Sequence, residues 1–346
     1  MSDEEIQEAD RLEGAPHPRE HGILVGHTEA ETSVLRAWQA GRLPHAFLIG
    51  GSEGVGKATL AYRIARFVLA HPAADKQPCK DLSIAEDHPV SRQVAALSHP
   101  DLLVLRRVLN DDTKKLRTEI RVDDVRRIVS FFGSTAAFGG YRVCVVDSVE
   151  EMNASGMNAL LKLVEEPPAK SIFLLISHSP GRVMATIRSR CQRMRLNPLA
   201  TEEVSRAVTA LAARMPELPR AQIPDAAAAS GGSVRRALEL LLGEGLEVRS
   251  LSAEMLERLP SVEAAKLHTL GDQLKGDQAL AVFTETVEDW LASQATRENQ
   301  PPACLARYAE TWEKVRRAAA EVDAFNLDRK PFAFQIFAML ADATRR

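Results

Sequence analysis

The stretch AFLIGGSEGVGKATLAYRIARFVL, residues 46–69, decides the fold of this chain. It starts with an apolar run typical of a buried strand, continues through a glycine-rich turn, and from Lys57 carries apolar residues at helical spacing. A strand, a glycine-rich turn and a helix in this order are the context of a phosphate-binding loop. Because Gly51, Gly54 and Gly56 lack side chains, backbone N–H groups can close around a phosphate at the start of the helix, and Lys57 adds a positive charge. The stretch therefore predicts a nucleotide-binding site.

One position of the phosphate-loop motif is not met. The motif continues after the lysine with a Ser or Thr whose hydroxyl helps to hold Mg²⁺, but here Ala58 follows Lys57. Thr59 comes next, although a helix turns by about 100° per residue, so its side chain points elsewhere. An ordinary turn between a strand and a helix is the alternative interpretation. We expect ATP to bind here with Mg²⁺ and to be hydrolysed poorly.

The composition describes an ordinary globular protein. The chain has 346 residues, of which 45% are hydrophobic and 26% are charged, so two or three domains with buried cores are expected. Its formal net charge of −3 excludes a general attraction to nucleic acid, and any DNA contact must use a local basic surface. No apolar run is long enough to cross a bilayer, and the acidic start MSDEEIQEADRLEG is unlike a signal peptide, which predicts a cytoplasmic protein without membrane contact.

Four further apolar runs are typical of strands, at residues 102–105, 143–146, 171–176 and 194–196. Helical patterns lie between most of them. Together with the strand before the phosphate loop, these runs predict a three-layer α/β domain around a five-stranded parallel sheet.

Helical patterns alone follow residue 198, which suggests where the domains divide. We interpret residues 1–20 as a flexible N-terminal arm, 21–198 as the nucleotide-binding core, 199–246 as a helical lid, and 247–346 as an all-helical module for assembly. Within the core, the proline-containing stretch 71–99 is interpreted as an irregular insertion.

Asp147 follows the apolar run 143–146, at the edge of a parallel sheet where ligand-handling groups lie. Downstream of a phosphate loop, an aspartate in this place is typical of the acid that orients Mg²⁺; a residue that merely caps the strand is the alternative. Ser148 comes next, where many motor ATPases have a glutamate that polarises water, and a serine cannot act as that base. Ser177 and His178 end the following strand and either sense a terminal phosphate or cap the strand.

Two arginines complete the set of candidates. Arg235 lies in the first turn of a helix that restarts after two glycines with Ser233 as its N-cap, where the helix dipole disfavours a cation unless it meets an anion. Arg190 lies just before the final strand, and from its position alone a surface salt bridge is the ordinary interpretation.

Three strings carry a resemblance to a known family: GRLPHAFLI at 41–49, NALLKLVEEPP at 158–168 and SRC at 189–191. Together with the phosphate loop, they resemble the AAA+ clamp-loader ATPases, in particular the DNA polymerase III clamp loader of bacteria. Within that family the chain is most similar to the delta prime subunits. The resemblance implies an AAA+ core with a helical lid, followed by an all-helical collar through which the subunits of a hetero-oligomeric ring assemble.

The resemblance also implies partners and roles. The partners are the other clamp-loader subunits and, through the complex, the sliding clamp and primed DNA. Arg190 is implied to reach the ATP of a neighbouring subunit as an arginine finger in trans, and Arg235 is implied to be a sensor on the lid helix. Polymerisation belongs to the assembly, so this chain is not expected to polymerise DNA.

The departures from the family pattern indicate which kind of subunit this is. ATP-hydrolysing members keep the loop Ser/Thr and an acidic pair after the third strand, where this chain has Ala58 and Ser148. They usually also carry a four-cysteine zinc module, whereas the insertion here holds only Cys79, so no zinc is expected. A largely non-hydrolysing subunit fits these departures. The alternatives are an active ATP-hydrolysing loader subunit and, further removed, an autonomous AAA+ motor that remodels DNA.

Overall fold

Five parallel strands form the centre of the N-terminal part of the chain. They are β1 (Ala46–Gly50), β2 (Leu102–Leu105), β3 (Arg142–Val146), β4 (Ser171–Ser177) and β5 (Gln192–Arg195). Their order across the sheet is β2-β3-β4-β1-β5, and every pairing is parallel. All residues of β1, β3 and β4 are buried, as expected for a parallel sheet covered on both faces.

The computed structural model describes residues 8, 10–71, 79–108, 116–243, 245–296, 301–325 and 327–344. It divides into two units, Met1–Leu238 and Glu239–Arg346. The helices up to the end of the first unit are α1 (Thr28–Gln39), α2 (Lys57–Ala70), α3 (Pro89–Ala95), α4 (Val122–Gly133), α5 (Ala154–Glu165), α6 (Ala185–Arg188), α7 (Thr201–Ala212), α8 (Ile223–Ala229) and α9 (Val234–Leu242).

The sheet separates two apolar cores because strand side chains alternate between its faces. Phe47 and Ile49 of β1 pack with α1, α2 and α3 on one face, and Leu48 packs with α4, α5 and α6 on the other. The predicted three-layer α/β fold with a five-stranded parallel sheet is confirmed.

Several predicted elements differ in detail from those observed. The stretch 71–99 is not wholly irregular, since it contains α3, which His88 caps by accepting a hydrogen bond from the Val90 N–H at 3.2 Å; residues 72–78 lie outside the described residues. The fifth strand begins at Gln192, two residues before the predicted 194. Both differences arise in polar stretches, where neither apolar periodicity nor length marks the element.

The described part of the predicted N-terminal arm, Glu8 and residues 10–20, packs on the core. Arg19 is buried and donates hydrogen bonds to the Ala95 carbonyl at 2.9 Å and to the Glu8 carboxylate at 2.8 Å. Arg106 pairs with both Glu8 and Asp10, the latter at 3.0 Å. The prediction of a flexible arm is therefore wrong for these residues, because their charges find partners far away in the sequence. Residues 1–7 and 9 lie outside the described residues.

Two carboxylates of this segment, Glu8 and Asp10, are held in their charged form. Burial alone would raise the pKa of Glu8, but the hydrogen bond and charge of Arg19 and the charge of Arg106 outweigh it and lower the pKa to about 2. Burial likewise opposes ionisation of Asp10, and His17 together with Arg106 lowers its pKa to about 2. The ion pairs are therefore intact at neutral pH.

In the second unit, the regular elements among the described residues are all helices. Its helices are α10 (Gly245–Glu257), α11 (Ala264–Gln273), α12 (Asp277–Ala295), α13 (Pro302–Phe325) and α14 (Arg329–Thr344). Phe283 and Val287 of α12 and Phe337 of α14 are fully buried in its core. None of the described helices in either unit has the combination of length and apolar character needed to span a bilayer.

We predict that Arg106→Ala lowers the free energy of unfolding by about 2–3 kcal/mol, because Glu8 and Asp10 would lose a partner in a largely dehydrated site. Urea denaturation at neutral pH measures the change. Arg126→Ala is the control, since Arg126 makes an exposed ion pair with Asp123 one turn away, and its loss is expected to cost less than about 0.5 kcal/mol. Equal effects of the two substitutions would contradict the structural role of Arg106.

Candidate nucleotide-binding site

A cavity of about 300 Å³ lies where β1 and β3 end. The phosphate loop follows β1 and Asp147 follows β3, so the parallel topology brings both to one edge of the sheet. Most of the predicted site residues line this cavity: Gly54, Gly56, Lys57, Ala58, Thr59, Asp147 and Arg235. Gly51 and Arg190 are not among the lining residues.

The glycines of the loop have different reasons to be glycine. Gly54 and Gly56 have φ angles of +74° and +104°, in the left-handed region that side chains disfavour. A Cβ at Gly54 would lie 2.1 Å from Ser233 Oγ, so a larger residue at this position would also clash with Ser233. A Cβ at Gly51 would lie 2.5 Å from the Leu196 carbonyl oxygen. Gly51 therefore packs closely against the chain after β5. Its role in binding nucleotide stays a prediction.

Lys57 is a buried cation with neutral hydrogen-bond partners. Its side-chain Nζ donates to the Ser52 carbonyl at 2.6 Å and to Nδ1 of His178 at 2.9 Å. Burial lowers the pKa of Lys57 to about 8, although the negative charge of Asp147 opposes this shift. The pKa of His178 is lowered by its own burial and by the charge of Lys57. Both effects favour a neutral imidazole, which can accept a hydrogen bond from the ammonium group of Lys57. A phosphate would supply the negative charge that these neutral partners do not.

Asp147 is also buried. Ser148 Oγ donates a hydrogen bond to its carboxyl at 3.2 Å. Burial raises the pKa of Asp147 to about 7, and the nearby charge of Asp10 adds to the increase. A cation placed beside Asp147 would stabilise the charged form, as expected for a group that handles Mg²⁺.

The rest of the donor set fits a nucleotide phosphate better than a tightly held Mg²⁺. Ala58 offers no oxygen at the position of the motif hydroxyl. Three other carboxylates line the cavity, and each is paired with an arginine. The pairs are Asp10 with Arg106 at 3.0 Å, Glu53 with Arg235 at 3.4 Å, and Glu151 with Arg107 at 2.7 Å.

The first turn of α9 is bonded directly to the phosphate loop. Ser233 Oγ accepts a hydrogen bond from the Arg236 N–H at 3.2 Å, which confirms Ser233 as the N-cap. The Val234 N–H donates to the Gly54 carbonyl at 3.0 Å. Arg235 meets the anion that its position in the helix requires, and that anion is Glu53 of the loop.

Arg190 lies away from the cavity, on the surface between α6 and β5. Its Nη2 pairs with Glu165 Oε1 at 2.8 Å, and its Nη1 donates to the Thr186 carbonyl at 2.9 Å. The side chain is 40% exposed. The structure thus shows the surface salt bridge that position alone suggested, with the guanidinium at the surface of the chain.

The sequence analysis missed the contribution of the N-terminal segment to the cavity. Asp10, Leu12 and Pro16 form part of its wall. The sequence contains no motif that predicts the contact of these residues with the cavity. A short polar segment has no hydrophobic periodicity from which its contacts could be inferred. His178, by contrast, is a candidate from sequence because it follows a buried strand. In the structure it makes a hydrogen bond with Lys57.

Comparison with known proteins shows the family of this chain. Residues 26–200 match the model of a family described as "DNA polymerase III, delta subunit". The chain is similar to DNA polymerase III subunit delta' of Pseudomonas aeruginosa, with 36% identity over 213 residues, 62% of this chain and 60% of that protein. It is 31% identical to subunit delta' of Escherichia coli over 260 residues, 75% of this chain and 71% of that protein.

Among solved structures, a DNA polymerase III gamma subunit-related protein of Thermotoga maritima matches with a TM-score of 0.40 and 17% identity, over 90% of this chain and 100% of that one. This likeness is too distant to support a functional comparison.

We predict that Asp147→Asn stabilises the chain increasingly as pH rises. The folded-state pKa is about 7 against the ordinary 3.8, so the folded state keeps a proton that the unfolded state releases, and wild-type stability falls through this window. The amide does not titrate. Its advantage over wild type should therefore grow by about 2–4 kcal/mol between about pH 4.5 and about pH 7.5.

Urea denaturation in buffer without divalent cations measures this difference. Asp123→Asn is the control because Asp123 is exposed, and its difference from wild type should not follow the same curve. A difference for Asp147→Asn that is flat across the range would show that Asp147 ionises normally in the folded chain.

Proposed function

Since the chain belongs to the DNA polymerase III delta subunit family, we propose that it acts as a delta prime-type subunit of the clamp loader. In this role it hydrolyses little or no ATP itself and offers Arg190 to the ATP site of a neighbouring subunit. The observation that carries the proposal is the contrast between its own cavity, which lacks two catalytic groups, and an arginine exposed outside that cavity.

The composition of the cavity supports weak hydrolysis. Ala58 removes the hydroxyl that helps to hold Mg²⁺, and Ser148 replaces the acid that would polarise water. Lys57 and the loop N–H groups remain to neutralise the phosphates of a bound ATP, and Asp147 remains to orient a magnesium ion. Binding with little turnover is the outcome expected from this set of residues.

The position of Arg190 supports action in trans. An arginine finger stabilises the charge that develops on the transferred phosphoryl group and contributes a factor on the order of 10³–10⁵ to the rate. Such a residue has to reach another subunit, which requires a surface position, and Arg190 has one. A subunit that has lost its own hydrolytic groups can therefore still contribute to ATP hydrolysis in the neighbouring subunit.

Family membership supports the wider assignment. We assign the chain to a hetero-oligomeric ring with the other clamp-loader subunits in the cytoplasm, which acts on the sliding clamp and primed DNA. In this assignment residues 199–246 serve as the lid, with Arg235 as its sensor, and residues 247–346 serve as the collar. The ring, rather than this chain, carries the motor activity.

We predict that the isolated chain shows no steady-state ATP turnover with Mg²⁺ above that of its Lys57→Ala variant, because the hydroxyl and the base are missing. Release of inorganic phosphate measures turnover, and a fluorescent ATP analogue measures binding separately. Robust turnover that Lys57→Ala abolishes would favour the active-subunit alternative.

We predict that Arg190→Ala in a reconstituted loader slows hydrolysis at the adjacent ATP site by a factor on the order of 10³ or more. Total DNA-stimulated hydrolysis should then fall by the share of that site. Arg193→Ala is the matched control, since it removes an exposed arginine from β5 nearby. Gel filtration verifies that both variant complexes assemble, and unchanged hydrolysis in the Arg190→Ala loader would remove the proposed role.

A further inference from the structure

We infer that Glu165 is a positioning residue that restrains Arg190. In this view the carboxylate holds the guanidinium in a surface ion pair, and the arginine reaches a neighbour's phosphate only when that pair opens. The inference rests on the proposed function of Arg190. It also gives a role to the acidic end of the NALLKLVEEPP string, which the nucleotide cavity does not use.

The guanidinium is held from two helices. Glu165 is the last residue of α5, and its Oε1 lies 2.8 Å from Nη2 of Arg190. Thr186 belongs to α6, and its carbonyl accepts from Nη1 at 2.9 Å. Ser189 Oγ is 3.4 Å from the same Nη1. If the pair with Glu165 breaks, Nη1 still donates to the Thr186 carbonyl. The side chain would then keep its location, while Nη2 would become available to another anion.

The backbones on both sides of the pair are fixed by the core. Val164, next to Glu165, is 1% exposed, and its carbonyl oxygen lies 3.1 Å from Nε2 of His45. Cys191, next to Arg190, is also buried. The two charged groups therefore meet because rigid neighbours place them together, which distinguishes this pair from one formed between mobile surface chains.

The position of Glu165 in its helix points the same way. It lies in the last turn of α5, where the helix dipole disfavours a negative charge. A cation at this point relieves that disadvantage, and Arg190 supplies it. Glu166 follows directly and is also exposed, but its carboxylate has no hydrogen-bond or ion-pair partner among the residues that the structure describes.

The pair is weak enough to open. The two side chains are 40% and 38% exposed, so water screens their attraction. Pairs of this kind shift an equilibrium by about 1.5- to 5-fold. A terminal phosphate carries more charge than a carboxylate and accepts two parallel hydrogen bonds from a guanidinium, so it can displace Glu165.

The first test uses the full chain alone. Phenylglyoxal reacts with free guanidinium groups, and peptide mass spectrometry reports the rate at Arg190. Glu165→Gln should raise this rate by about 1.5- to 5-fold, whereas Glu166→Gln should leave it unchanged. Equal rates at Arg190 in wild type and Glu165→Gln would show that the pair does not hold Arg190 in solution, and would overturn the inference.

The second test uses the reconstituted loader with primed DNA. Glu165→Gln should raise the turnover number at the adjacent ATP site by up to about 5-fold, and Glu166→Gln should not. Adding Glu165→Gln to Arg190→Ala should change nothing further, because a restraint without its target has no effect. A Glu165→Gln loader with wild-type or lower turnover, or an effect that persists without Arg190, would overturn the inference.

The two proposals fail in different ways. Normal hydrolysis by the Arg190→Ala loader removes the proposed function, whatever Glu165 does. Impaired hydrolysis by Arg190→Ala together with wild-type hydrolysis by Glu165→Gln removes only the restraint.

Discussion

The site depends on one buried positive charge, the ammonium group of Lys57. At 3% exposure it cannot rely on water, and a carbonyl and a neutral imidazole are its hydrogen-bond partners. Asp147 is close enough to influence it, yet burial raises the pKa of Asp147 to about 7. Among the described residues, no carboxylate makes a direct ion pair with Lys57, which is the physical reason to regard the cavity as a phosphate site even though the motif is broken at Ala58.

Local features of this site could be predicted from the sequence because they depend on neighbours along the chain. The strand–loop–helix unit around Lys57, the place of Asp147 after β3 and the N-cap Ser233 all follow from periodicity and residue type. The partners of Arg106 could not, since Asp10 lies almost a hundred residues away in a polar segment without a pattern. The reason for a glycine at position 51 could not be predicted either. Its small size is required by the close approach of Leu196, which is near only in the folded structure.

Lys57 and Arg190 are in contrasting environments, one buried and the other exposed. One cation is enclosed in a cavity where Ser148 follows Asp147, while the other lies at the surface, held by Glu165 and the Thr186 carbonyl. The relatives are named as subunits of DNA polymerase III, and in the proposed function the groups for one reaction are distributed over more than one chain. In that proposal, weak hydrolysis by this chain and an exposed arginine are compatible features of one subunit.

The segment around Asp10 has a practical consequence for work on this protein. Because Asp10, Leu12 and Pro16 belong to the cavity wall, a shortened chain that begins at residue 21 would present a wider cavity with a different charge. Arg106 would also lose both of its carboxylate partners, Asp10 and Glu8. Ligand screens and affinity measurements made on such a shortened chain would therefore report on a different site from the one that includes this segment.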